Sequence, residues 1–272
     1  MKLGTLLSMA AMAVMGMGLA LPAQAADPIK IGVYLPLTGQ NAFGGQLELE
    51  GIQLAHKLNR PSSTARRTGR RRQQVRQGRS RQRRETPCGT RQVVALIGTY
   101  GSSLAMAGAE VAEKAAVPGV GTSCTNPLVT QGKKYYFRAC FIDPYQGAAA
   151  ATYAYETLGF RKAAVLMDMT SDYAVGLSNF SKRPLRRSAR TRCRHEVQLR
   201  RPGLHAQLTE LISKKPDIVF MPAYFAEGAI IMKQARELGA TFVLMGADAM
   251  DNPDTLKIGG KAVKASSTPL PL

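Results

Sequence analysis

The sequence predicts an α/β fold built on parallel strands, and three observations carry that prediction. Short, mostly apolar runs at Ile29 to Pro36, Val93 to Ile97, Lys162 to Met167 and Asp217 to Met221 have the length and composition of strands buried on both faces. Segments with helical apolar spacing separate them. The connections are short and rich in Gly, Ser, Thr and Asn, which suits tight turns between strand and helix. Repeated β-then-α units require crossovers, so the strands should run parallel with helices on both faces of the sheet.

Each element follows from its residues. Ile29 to Pro36 reads as a strand, Thr38 to Asn41 as the loop beyond it, and Gly44 to Leu58 as a helix with apolar residues at Leu47, Ile52, Leu54, Ala55 and Leu58. Val93 to Ile97 is the next strand. It breaks at Gly98, passes through Thr99 to Ser103, and enters an alanine-rich helix before a second apolar run at Val117 to Val120. Lys134 to Cys140 is strand-prone, and Pro144 to Leu158 opens with the proline that suits a helix start. Lys162 to Met167 is a strand followed by the loop Asp168 to Tyr173 and a helix from Val175. Periodicity then returns near Gln207, followed by strand Asp217 to Met221, helix Ala226 to Leu238, strand Thr241 to Met245 and the loop GADAMDNP.

Two tracts break this pattern. Residues 57–91 and 182–201 together hold 22 basic and two acidic residues, while the remainder holds 15 basic and 16 acidic, so the whole net charge of +19 sits in two islands. The first island has almost no aliphatic residue and no period of 2 or 3.6, and alone it should stay disordered because it cannot bury enough apolar surface to offset ordering entropy. A strongly basic chain can bind nucleic acid or an anionic surface, and that is the alternative function for these tracts. The absence of aromatic residues in either island and the features of the N-terminus argue against it. Residues 1–25 read as a cleaved signal peptide: Met1-Lys2, an apolar stretch from Leu3 to Leu21, and the small-residue site Ala23-Gln24-Ala25. That implies an exported, periplasmic protein. In such a compartment Cys124 and Cys140 form either a disulfide closing a short loop or two buried free thiols.

The turn after Ile97 is the first candidate site. A helix starting there offers unpaired N–H groups and a partial positive charge to an anion, and Ser102 stands at that start. Thr125 lies in the corresponding loop after Val120. Either hydroxyl could instead be a helix cap or turn residue.

Seven fragments in order, IKIGVYLPLTGQNAFGG, VVALIGTYGSS, GTSCTNPLVTQG, FIDPYQG, SDYAVG, PAYFAEG and LMGADAMDNP, resemble the periplasmic substrate-binding proteins of branched-chain amino-acid ABC transporters, the Leu/Ile/Val-binding type. The resemblance implies the type I periplasmic binding protein fold, with two Rossmann-like lobes that close over a ligand. It puts the first lobe at residues 26–143, the second at 144–250, and a return to the first lobe from 251. It further implies a carboxylate-binding serine at Ser102, a second carboxylate-binding loop at Ser123, Cys124 and Thr125, an ammonium-binding acid at Asp248, and ligand-contacting aromatics at Tyr173, Tyr224 and Phe43. No catalytic residue, metal or cofactor is implied. The expected partners are an amino acid and a membrane permease, nucleic acid is not expected, and the expected state is a monomer.

The islands depart from the family. The first occupies the place of the second strand and helix of the first lobe, and the second (182–205) replaces a helix end and a strand of the second lobe. Their Arg, Pro, Ser, Gly and Thr composition is what a GC-rich coding sequence gives when read out of frame, and VKASSTPLPL reads as a third loss of frame. The family continues beyond Leu272, so the expected fold is incomplete at its C-terminus. An enzyme is not expected: GxxxxGK, GxSxG and HExxH are all absent, and His56, His195 and His205 lie in or beside the islands.

Overall fold

The computed structural model describes residues 29–59, 73–79, 93–187, 192–199 and 204–264. Two parallel sheets organise it. The first contains β1 (Ile29–Leu35), β2 (Gln73–Arg79), β3 (Val93–Ile97), β4 (Gly119–Gly121) and β5 (Tyr136–Arg138) in the order β2-β1-β3-β4-β5. The second contains β6 (Lys162–Asp168), β7 (Arg192–Leu199), β8 (Ile218–Phe220) and β9 (Val243–Met245) in the order β7-β6-β8-β9.

Alternation along the strands explains how both faces are covered. In β1, Val33 and Leu35 point to helix α1 (Ala42–Leu58) with Leu49, while Tyr34 points to the other face, toward Ala105, Ala109 and Ala112 of α2 (Ser102–Ala115). The small residues of α2 let it lie close to the sheet. In β6, Ala164 and Leu166 pack with Leu208 and Leu211 of α5 (Leu204–Lys214) and with Ile231 and Met232 of α6 (Phe225–Glu237). Ala163, Val165 and Met167 pack the opposite way, against Ala151 of α3 (Asp143–Thr152) and Leu177 of α4 (Asp172–Arg187). Each fully buried leucine here contributes roughly 2 kcal/mol of transfer free energy. At the end of α1, Asn59 closes the last turn, its backbone N–H and Nδ2 both donating to the Ala55 carbonyl at 3.0 and 2.8 Å.

Three expectations need correction. The first basic tract was expected to lack structure, yet Gln73–Arg79 is an edge strand in register with the whole of β1. In the second tract α4 continues to Arg187 and Arg192–Leu199 pairs with β6. A ladder needs only backbone donors and acceptors, and an edge strand beside an apolar strand need not carry an apolar period itself. The chain from 251 was expected to rejoin the first lobe. Instead α7 (Pro253–Gly259) and α8 (Lys261–Lys264) pack on α6 of the second, burying Thr255, Gly259 and Val263. Gly259 permits this approach, since a Cβ there would lie 2.3 Å from Val263 Cγ2 and 3.4 Å from the Ala229 carbonyl oxygen. The signal-peptide reading of residues 1–25 lies outside the described residues.

The lobes meet directly. The Asp172 N–H donates to Ser103 Oγ at 3.2 Å, and Asn126 Nδ2 donates to the Asp172 carbonyl at 2.7 Å. Phe43 meets Phe225 with ring centroids 5.4 Å apart.

Candidate functional site

A cavity of about 190 Å³ lies between the lobes. Phe43, Ser102, Ser123, Thr125, Tyr173, Tyr224 and Asp248 line it. Cys124 does not. Its side chain is fully buried behind the loop, packed against the first sheet with Tyr136 and Val129.

The anion end is built on two loops. Gly101 precedes α2 with φ of +94°, a conformation that glycine adopts without strain, and its N–H donates to the Ser123 carbonyl at 2.9 Å. Ser102, 1% exposed, opens the helix. Its Oγ accepts the Asn126 N–H at 3.2 Å, so the hydroxyl hydrogen remains available to an acceptor in the cavity. The 123–130 loop is held by Arg138 on β5, whose guanidinium donates to the carbonyls of Cys124, Asn126 and Pro127 at 2.9, 2.8 and 2.9 Å and to Thr130 Oγ1 at 2.6 Å. Residue-level reading missed Arg138, a lone arginine in a strand-prone segment whose targets are main-chain carbonyls.

The cation end comes from the second lobe. Asp248 follows β9 and opens a 3₁₀ turn (Asp248–Met250). It accepts the Tyr173 hydroxyl at 2.6 Å, and its own N–H donates to Gln146 Oε1 at 2.7 Å. Burial pushes its carboxyl above the usual range, and the contacts from Tyr173 and Gln146 oppose that shift. Tyr173 stays neutral because burial and the neighbouring Asp248 both raise its phenol.

Between the ends stands an aromatic wall. Tyr224 lies 5.4 Å from Tyr173 and 5.7 Å from Tyr100, centroid to centroid. Tyr100 was not foreseen. Its ring lies on Gly44 of α1, where a Cβ would fall 2.5 Å from ring carbons. Leu47 and Asn252 were also missed as lining residues. Beneath the first-lobe loops sits Glu48, its carboxyl raised by burial and moderated by the Thr122 and Ser123 hydroxyls.

The Cys124–Cys140 disulfide is absent, and the pair are free thiols. They meet instead as hydrogen-bond partners, with the Cys124 N–H donating to Cys140 Sγ at 3.3 Å. The Cys124 thiol first, then that backbone contact and the nearby Arg138, hold Cys140 below the ordinary thiol range against its burial, while the Cys124 thiol is pushed up. Among the described residues no group of three or more His, Cys, Asp or Glu could hold a metal ion, and no helix is long and apolar enough to cross a membrane.

The arrangement offers a hydroxyl and a helix N-terminus at one end, a carboxylate at the other, and an apolar wall between. That set matches a small zwitterion with an apolar side chain.

Comparison with known proteins gives the same direction. The family model described as "Periplasmic binding protein" matches residues 82–271. A Leu/Ile/Val-binding protein homolog from Brucella melitensis is 26% identical over 246 residues, covering 85% of this chain and 64% of that protein. An amino acid binding protein from Pseudomonas aeruginosa is 26% identical over 254 residues, covering 90% of this chain and 66% of the relative. Among solved structures, a leucine binding protein from Thermotoga maritima superposes with a TM-score of 0.77 at 36% identity, covering 86% of this chain and 67% of that one. A branched-chain amino-acid substrate-binding protein from Streptococcus pneumoniae, in complex with isoleucine, superposes at 0.71 with 25% identity, covering 86% of this chain and 68% of that one. The chain therefore spans 64% and 66% of the two sequence relatives it matches here.

Proposed function

This chain belongs to the periplasmic binding protein family, and from that membership and the site's geometry we propose that it captures an aliphatic L-amino acid, in the branched-chain class, for an ABC transporter. Its fold is the type I periplasmic binding protein fold. The observation that carries the proposal is the pairing of Ser102, with a free hydroxyl hydrogen at the start of α2, and Asp248 across one cavity.

The ligand carboxylate takes the Ser102 hydroxyl and the main chain of the loop that carries Ser123 and Thr125, while Thr125 Oγ1 accepts from the ammonium. Its ammonium takes Asp248, positioned by Tyr173 and Gln146. Its side chain lies on Tyr100, Tyr224 and Phe43. The chain binds without turnover, is exported by a cleaved leader, acts as a monomer, and hands its ligand to a membrane permease. The first lobe ends near Asp143, where the chain crosses, and the second runs on from there.

Isothermal titration of the purified protein tests this. Leucine, isoleucine or valine should bind, while the keto acid of leucine, lacking the ammonium, and isoamylamine, lacking the carboxylate, should not. Equal binding of leucine and its keto acid would refute the role of Asp248. Failure of every amino acid to bind would refute the function.

A further inference from the structure

One buried acid is not used by that reading. Asp143 sits where the chain leaves β5 for α3, between the lobes, and is 0% exposed. Its N–H donates to the Thr125 carbonyl at 3.0 Å, which ties it to the binding loop. No hydrogen bond reaches either of its carboxyl oxygens. From the second lobe α4 comes in so closely that a Cβ on Gly176 would lie 3.3 Å from Asp143 Oδ2 and 2.4 Å from Asn126 Nδ2. A buried carboxylate without donors is costly to ionise, and it takes up a proton instead.

The groups that face it are few. Arg138 on β5 lies near, but its guanidinium is committed to Cys124, Asn126, Pro127 and Thr130. Cys140 flanks it on the same side, Tyr173 and Tyr224 face it from α4 and the start of α6, and Asp248 from beyond β9 repels it. The Thr125 hydroxyl is a side chain that can donate to it and favour its charged form, and Thr125 also lines the cavity. Burial pushes the Asp143 carboxyl up to about 7, against the pull of Thr125 and Arg138.

We propose that Asp143 is a proton-linked positioning residue: protonated when the site is empty, it gives its proton to solvent when the ligand's ammonium arrives beside Asp248. The added positive charge favours the ionised form. Once ionised, Asp143 accepts the Thr125 hydroxyl hydrogen and turns the oxygen lone pairs of Thr125 toward the ammonium. When protonated, it donates to Thr125 instead and turns that hydrogen into the cavity. Amino-acid binding therefore weakens on acidification. This inference rests on the function proposed above.

Titrating leucine in buffers of different ionisation enthalpy counts the protons released. With the carboxyl near 7, release should be about 0.5 proton per ligand at pH 7 and about 0.9 at pH 6, and affinity should fall by up to about tenfold per pH unit below 6. The Asp143→Asn variant should release about half a proton less per ligand at pH 7 than the unaltered protein, keeping only what Asp248, itself raised by burial, gives up. Measurement on the unaltered protein suffices if that variant does not fold. Binding without buffer-dependent heat, or a release at pH 7 that Asp143→Asn leaves unchanged, overturns the inference and leaves the function standing. No binding of any amino acid overturns both.

Discussion

Replacing Asp248 by asparagine should separate recognition from stability. Asparagine keeps the shape and can still accept the Tyr173 hydroxyl, which now reaches Asp248 at 2.6 Å. What disappears is the charge that faces the ligand's ammonium. A charge-assisted hydrogen bond is worth about 1.5–3 kcal/mol and a partly screened pair at about 4 Å up to about 4, so the loss should be roughly 2–4 kcal/mol, or about 30- to 700-fold in Kd. Stability should move the other way. Burial is the largest influence on Asp248 and raises its carboxyl, so the unfolded chain loses that proton at lower pH than the folded one. Folding stability therefore falls as pH rises from the unfolded value through the folded one, and the full penalty is present at pH 8. The variant should melt at or above the temperature of the unaltered protein at pH 8 without ligand. Titration calorimetry and a thermal melt at pH 8 check both halves. A change in Kd below threefold would refute the ammonium role, and a variant that loses binding while melting several degrees lower would show that Asp248 is structural.

Two further outcomes follow from the site. Ser102→Ala should weaken leucine binding by about 10- to 100-fold and also cost about 1–3 kcal/mol of stability, because the buried Asn126 N–H loses its acceptor; denaturant unfolding with and without leucine separates the two effects. Cys140, half-buried and held below the ordinary thiol range, should be alkylated by iodoacetamide well before Cys124, with half-maximal rate below the pH of a free thiol, as peptide mass mapping would record; equal rates at the two positions would contradict the donor–acceptor arrangement.

Much of the frame was legible because both-face burial forces continuous apolar runs. Val93–Ile97 and Lys162–Asp168 fall within a residue of the segments read from the sequence. The start of α2 was legible too, since a Gly-Ser pair after an apolar run is what an anion-holding turn requires. The edge strands β2 and β7 were not, because backbone pairing leaves no period in the side chains of a basic tract. Helices α7 and α8 hid for a related reason: the buried positions Thr255, Gly259 and Val263 are four apart, but two are not apolar. The Arg138 clamp and the seat of Tyr100 on Gly44 depend on contacts between elements distant in sequence. Asp143 stood within a quoted fragment, and only its burial sets it apart.

Asn126 occupies three places at once. Its backbone N–H holds the Ser102 oxygen, its Oδ1 takes the Leu128 N–H at 3.0 Å, and its Nδ2 reaches across to the Asp172 carbonyl of the other lobe. One residue thus joins the Ser102 hydroxyl that lines the cavity to the meeting of the lobes. Separation of the lobes breaks the Asp172 contact and frees the amide that is one bond network away from the carboxylate cradle. Any change in how the lobes meet would therefore reach the Ser102 hydroxyl through a single residue.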